Sequence, residues 1–185
     1  MLDLSELPRN QLETMAAAGE EVVECMRVLA KTGDNVVSEM LRDQGTYYEW
    51  QHYPDDDIVD PQTHSQYFYH AHRSGEHGHF HTFLRPEAIP TKCKPVPLPE
   101  RATPEEEPHT FCHLVGISMD KHGLPIRVFS PNLWLTEDTW YAADDVCAML
   151  DLFEIDIAHP SWPANRWISG MFRLFRPQSW ARKTC

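Results

Sequence analysis

Seven of the chain's eleven histidines fall between His52 and His81, and five of them, His70, His72, His77, His79 and His81, occupy twelve consecutive positions. They alternate with other residues in two stretches, Gln66-Tyr-Phe-Tyr-His-Ala-His72 and His77-Gly-His-Phe-His-Thr-Phe83, separated by Arg73-Ser-Gly-Glu76. Alternation is the period of a strand, and a short polar stretch with glycine is a hairpin signal. If the four residues close the turn, His72 faces His77, His70 faces His79 and Phe68 faces His81. Opposed residues of an antiparallel pair project to one side, so all five imidazoles share a face. Tyr67, Tyr69, Ala71, Gly78, Phe80 and Thr82 take the other face, which suits packing.

Such a face can hold a transition metal. Opposed residues have Cβ atoms roughly 4.5–5.5 Å apart, from which ring nitrogens can converge on an ion at about 2.0–2.1 Å. Neutral imidazole suits iron, zinc, copper and nickel, whereas calcium and magnesium prefer oxygen. The expected ligands are His70, His72, His77, His79 and His81, and the expected ion is Fe or Zn. Glu76 or one of Asp55, Asp56, Asp57 and Asp60 can add a carboxylate, which permits the facial set of two histidines and one carboxylate found in non-haem iron enzymes. Two other readings compete: a solvated histidine surface, neutral at pH 7, and a pH-responsive one. Everything depends on register, because a slip of one residue separates His70 and His72 from the other three.

His113 lies in Phe111-Cys-His-Leu-Val-Gly-Ile117, in phase with apolar residues. It reads first as a hydrogen-bonded core histidine and second as a further ligand, if its strand lies beside the first hairpin. Arg127 alternates with Phe129 and reads first as a partner for Asp120, second as an anchor for a substrate carboxylate. His52 and His64 are near background.

The rest of the chain supplies the frame. Apolar residues from Leu12 to Ala30 recur at helical spacing, Gly33 ends that helix, and Asp34 caps a shorter one that Gly45 ends. The polar face of the longer helix carries Glu13, Glu20, Glu21 and Glu24 rather than Lys or Arg, which favours core packing over an amphipathic membrane anchor. Thr46 to Tyr53 alternates as a strand. Thr110 to Asp120 and Leu124 to Ser130 make a second hairpin around Lys121-His-Gly123. Residues 86–109 hold seven of the fifteen prolines and are expected to form an extended strap, either a lid or a connector. Thr136 or Asp138 caps a helix through Phe153, and Ser161 with Pro163 starts another through Phe175. The fold class is therefore α+β: an antiparallel sheet of two or more hairpins flanked by N-terminal and C-terminal helices, in one domain spanning 1–185.

Charge narrows the partners. With 16 basic and 28 acidic residues the net charge is −12, which repels phosphate backbones and anionic membrane surfaces. Nucleic acid and membrane are excluded as partners, a small-molecule substrate is the expected one, and the compartment is cytoplasmic. Five cysteines without a C-x-x-C read as reduced thiols. Nucleophile-elbow, phosphate-loop, dinucleotide and H-E-x-x-H motifs are absent.

The stretches His52-Tyr-Pro-Asp-Asp-Asp-Ile-Val-Asp60, Gln66 to His72, Gly75-Glu-His-Gly-His-Phe-His81, His113-Leu-Val-Gly-Ile-Ser-Met-Asp120 and Pro160-Ser-Trp-Pro-Ala-Asn-Arg-Trp167 resemble a family of uncharacterised bacterial proteins known only as a domain of unknown function. The resemblance runs from about Gly33 to Pro177. It implies a bacterial, cytoplasmic, single-domain protein and supplies no activity. The His-x-His element also looks like the first half of a cupin metal motif, whose second half is not recognisable in this chain. From the residues themselves, the expected function is a small metal-dependent enzyme of oxygenase or hydrolase type, and the alternative is a non-catalytic accessory protein that buffers metal or binds a partner.

Overall fold

The computed structural model describes residues 3–96, 111–130 and 139–183, with side chains through Arg176. After a 3-10 turn at Leu4–Glu6 comes helix α1, Arg9–Ala30. It buries Met15, Ala18, Val22, Cys25 and Leu29, a stripe at spacings of three and four residues, and Gly33 leaves it at φ +80°. Helix α2, Val36–Leu41, starts one residue later than expected. Its cap is Asn35, whose side chain accepts the Val37 and Ser38 N–H groups while Ser38 Oγ accepts the Asn35 N–H.

Five strands follow in one antiparallel sheet whose spatial order is the chain order: β1 Tyr53–Val59, β2 Ser65–His70, β3 Gly78–Leu84, β4 Cys112–Met119 and β5 Pro125–Phe129. The first strand corrects the sequence reading. Thr46 to His52 is a loop, and the strand is the acidic run itself, containing Pro54 and Asp55 to Asp57. Only one side of an edge strand pairs, so proline and aspartate are tolerated there, and a bulge between Tyr53 and Ile58 breaks the ladder.

The helices cover one sheet face. Helix α3, Ala143–Met149, runs into a 3-10 turn at Leu150–Leu152, and helix α4, Trp162–Lys183, lies along α1. Tyr67 Oη donates to Asn165 Oδ1 at 2.6 Å, and the Phe80 ring lies 5.7 Å from that of Trp167. Gly170 permits the close approach of the helices, since a Cβ there would come within 2.8 Å of Val22 Cγ2. At the same crossing Arg166 and Arg173 of α4 both pair with Glu21 of α1 and with Glu154. The helix-side sheet residues Tyr67, Tyr69, Phe80, Ile117 and Met119 are buried with Trp167, Ile168 and Met171 in the core.

Expected caps Thr136 and Asp138 lie outside the described residues, as does the Pro-rich strap beyond Val96. Its described part makes a 3-10 turn at Pro86–Ala88, buries Cys93 and bridges Pro95 to Tyr141. Among the described residues, Cys25, Cys93, Cys112 and Cys147 are buried and in no disulfide. Among the described residues, no helix is long and apolar enough to cross a membrane.

Candidate metal centre

The register of the first hairpin gathers the imidazoles on the face away from the helices. His70 pairs with His79 and Phe68 with His81, as the alternation requires. The strand β4 then lies against β3 and sets His113 opposite Phe83, which carries its ring to the same side. His70, His79, His81 and His113 are all buried, His79 completely. Aromatic rings hem them in: Phe129 is 5.5 Å from His79, Phe83 4.4 Å from His113, and Phe68 5.2 Å from both His70 and His81.

The ring nitrogens converge. His70 Nε2 stands 2.9 Å from His79 Nε2 and 2.9 Å from His81 Nε2. Two donors bound to one ion at about 2.0–2.1 Å stand about 2.9 Å apart at a right angle and about 3.4 Å apart at the tetrahedral angle, so these nitrogens are close enough to share one ion. His72 completes the group: one ligand atom from each of His70, His72, His79 and His81 lies within 4.8 Å of all the others.

Proton positions follow from the neighbours. Glu76 Oε1 is 2.5 Å from His79 Nδ1, and a carboxylate accepts, so Nδ1 carries the hydrogen and Nε2 of the neutral ring presents a lone pair. His81 Nδ1 is 2.8 Å from His113 Nε2. When His81 donates there, its Nε2 also presents a lone pair to the centre. His70 Nε2 then has a single hydrogen for two short contacts. With that hydrogen on Nδ1 instead, His70 Nε2 presents a third lone pair, and three such nitrogens can hold one cation. Two of the three rings are held from behind, by Glu76 and by His113, in the manner of outer-shell partners that fix a metal-ligating imidazole. His70 Nδ1 is buried and has no hydrogen-bond partner among the described residues.

Electrostatics keeps these rings in the ligating form. Burial first, and then the neighbouring imidazoles, lowers the His70 pKa to about 3. Burial, then Arg73 and His72, takes His79 to about 3 as well. His81 is pushed well below the ordinary range by burial and by His113. All three are neutral at pH 7, as metal binding needs.

The sequence-derived ligand set is altered in three respects. His77 leaves the cluster, because the ladder opens after His70 and His79 and the expected His72–His77 pair does not form. Its N–H goes to the Met119 carbonyl, and its ring lies on the helix side, 2.8 Å from Tyr69 Oη and stacked on Tyr47. Secondly, the carboxylates are not in the cluster. Glu76 stands behind His79; Asp57 bonds His52 and Gln66, and Asp55 bonds Gln51. Asp60 is buried accepting the N–H groups of Gln62, Thr63 and Asp156. Thirdly, His52 belongs at the rim, stacked 3.5 Å from Phe68 with its edge toward His70. So does Trp50, which is 69% exposed, sits at φ +70° and stacks on His72 at 4.4 Å, held by an N–H bond to the Ala71 carbonyl. The alternation of Thr46 to Tyr53 sets these two on a strand, whereas the segment that carries them is an irregular loop.

A helix-backed antiparallel sheet with a buried histidine cluster on its other face defines an α+β protein able to hold a metal ion. The chain belongs to the family described as Domain of unknown function (DUF6969), whose model matches residues 16–181, a longer span than the motifs alone suggest. No curated protein and no solved structure matches it.

Proposed function

We propose that the chain holds one transition-metal ion, Fe or Zn, on Nε2 of His70, His79 and His81, and that it is a small metal-dependent enzyme. The observation that carries this reading is the pair of 2.9 Å Nε2 contacts centred on His70, among rings that burial keeps neutral. Glu76 and His113 orient His79 and His81, and His72 is the fourth donor. Three imidazoles leave coordination positions for a substrate, and His72, half-exposed between the cluster and Trp50, lies on the approach to them. A bound ion supplies Lewis acidity for a hydrolase or an O₂ site for an oxygenase. The residues bind it, exclude water through the Phe68, Phe83 and Phe129 rings, and hold protons on the outward Nδ1 atoms.

A second reading rests on His72. If all four imidazoles bind together, the site is a closed tetrahedron suited to storing or buffering metal. Elemental analysis of full-length chain purified without a histidine tag tests both. About one equivalent of Fe or Zn is expected, falling below about 0.2 in His79→Ala. Retention of the ion by His72→Ala, with unchanged stoichiometry, favours the open site. No metal in the untagged chain and none taken up on titration overturns the proposal.

A further inference from the structure

We infer that the metal centre takes its substrate or co-ligand as a carboxylate anion, held at the edge of the imidazole face by Arg73 and Arg127. This rests on the metal reading above and names the ligand class of that same site.

The first argument is charge. A divalent ion among His70, His79 and His81 brings two positive charges into a buried place whose donors are neutral, and Glu76 is the carboxylate bonded to the cluster. Unbalanced buried charge is costly, so an anionic ligand is favoured over a neutral one.

The second is how the chain spends its arginines. Acidic residues outnumber basic ones by 28 to 16, and Arg9, Arg27, Arg42, Arg166, Arg173 and Arg176 each pair with a carboxylate. Among the described residues, Arg73, Arg85 and Arg127 have no carboxylate partner. Arg85 donates to Gln66 Oε1 and lies over Phe111. The expected Arg127–Asp120 pair does not form; Asp120 Oδ1 accepts the His122 and Leu124 N–H groups instead.

The third is placement. The Arg73 guanidinium carbon lies 4.2 Å above the Phe129 ring, which is itself 5.5 Å from His79. Stacking uses the guanidinium face and leaves its N–H edges for a bidentate acceptor. Arg127 is opposite Ser118, and Ser118 is opposite His79, so these residues run in one row across the imidazole side. Both arginines are exposed, whereas Ser118 is buried and its Oγ has no hydrogen-bond partner among the described residues. A carboxylate reaching from the ion along this row meets two guanidinium groups and a hydroxyl.

The test is titration calorimetry of the cobalt(II)-loaded full chain with malonate and with its uncharged analogue malonamide, cobalt content being measured before and after. Malonate is expected to bind, with malonamide weaker by about tenfold or more, and the Arg73→Gln/Arg127→Gln double variant to lose about tenfold or more in malonate affinity at unchanged cobalt content. Full cobalt loading with malonate affinity in the double variant within about twofold of the parent overturns this inference alone. Equal binding of malonamide also overturns it. Failure to load cobalt overturns the metal reading, and this inference with it.

Discussion

Single atoms decide how firmly the imidazoles are aimed. Glu76 touches His79 at Nδ1, on the side away from the cluster, so it acts on the ring's orientation and basicity. Glu76→Gln keeps the shape and removes the charge, and metal affinity is expected to fall about 10- to 100-fold in competition with a chromophoric chelator, the usual cost of losing an outer-shell partner. Unchanged affinity would show that Glu76 has no such role. Gly116 is equally specific: a Cβ there would lie 2.2 Å from Phe129 Cζ, at the tip of the ring that carries Arg73 and walls the cluster. Gly116→Ala must push that ring away, at a cost of about 1–3 kcal/mol in urea unfolding. An unaltered midpoint would mean that Phe129 yields freely.

At the scale of elements, the first hairpin couples stability to pH. His70 and His79 have folded pKa values of about 3, against an unfolded value near 6.5. Above pH 6.5 both states are neutral. Below it the unfolded chain takes up protons that the buried rings refuse, so stability falls with pH until about pH 3, by up to about 1.4 kcal/mol per pH unit for each ring. Urea unfolding of metal-free protein at pH 7 and pH 5 is expected to show this drop, and His79→Gln to reduce it; a drop identical in the variant would contradict the assignment. Helix α2 offers a simpler case, since Asn35→Ala removes the side chain that caps Val37 and Ser38 and is expected to cost about 1 kcal/mol in the same assay.

The elements also explain what was legible beforehand. Alternation over Phe68 to His81 fixed the sheet face because a strand offers only two sides, and the observed pairs are those it demands. His113 required knowledge that β4 lies against β3, which local pattern does not contain. Alternation misplaces His77, whose ring bonds Tyr69 in place of two further ladder positions. The strand β1 is not legible in the sequence because its acidic, proline-bearing run makes sense only at an edge.

The whole molecule divides its labour between two sheet faces. One is an apolar layer tied to α1 and α4, whose Glu21, Glu154, Arg166 and Arg173 network is partly exposed and therefore modest in worth. The other is a buried polar layer that lowers stability unless something is bound there. X-ray absorption at the metal edge of the loaded, untagged chain reads that layer most directly. Three or four nitrogen neighbours at about 2.0–2.1 Å are expected, with the outer-shell scattering of imidazole rings, lost in His79→Ala. A first shell of oxygen or sulfur, or a spectrum that His79→Ala leaves unchanged, would contradict it.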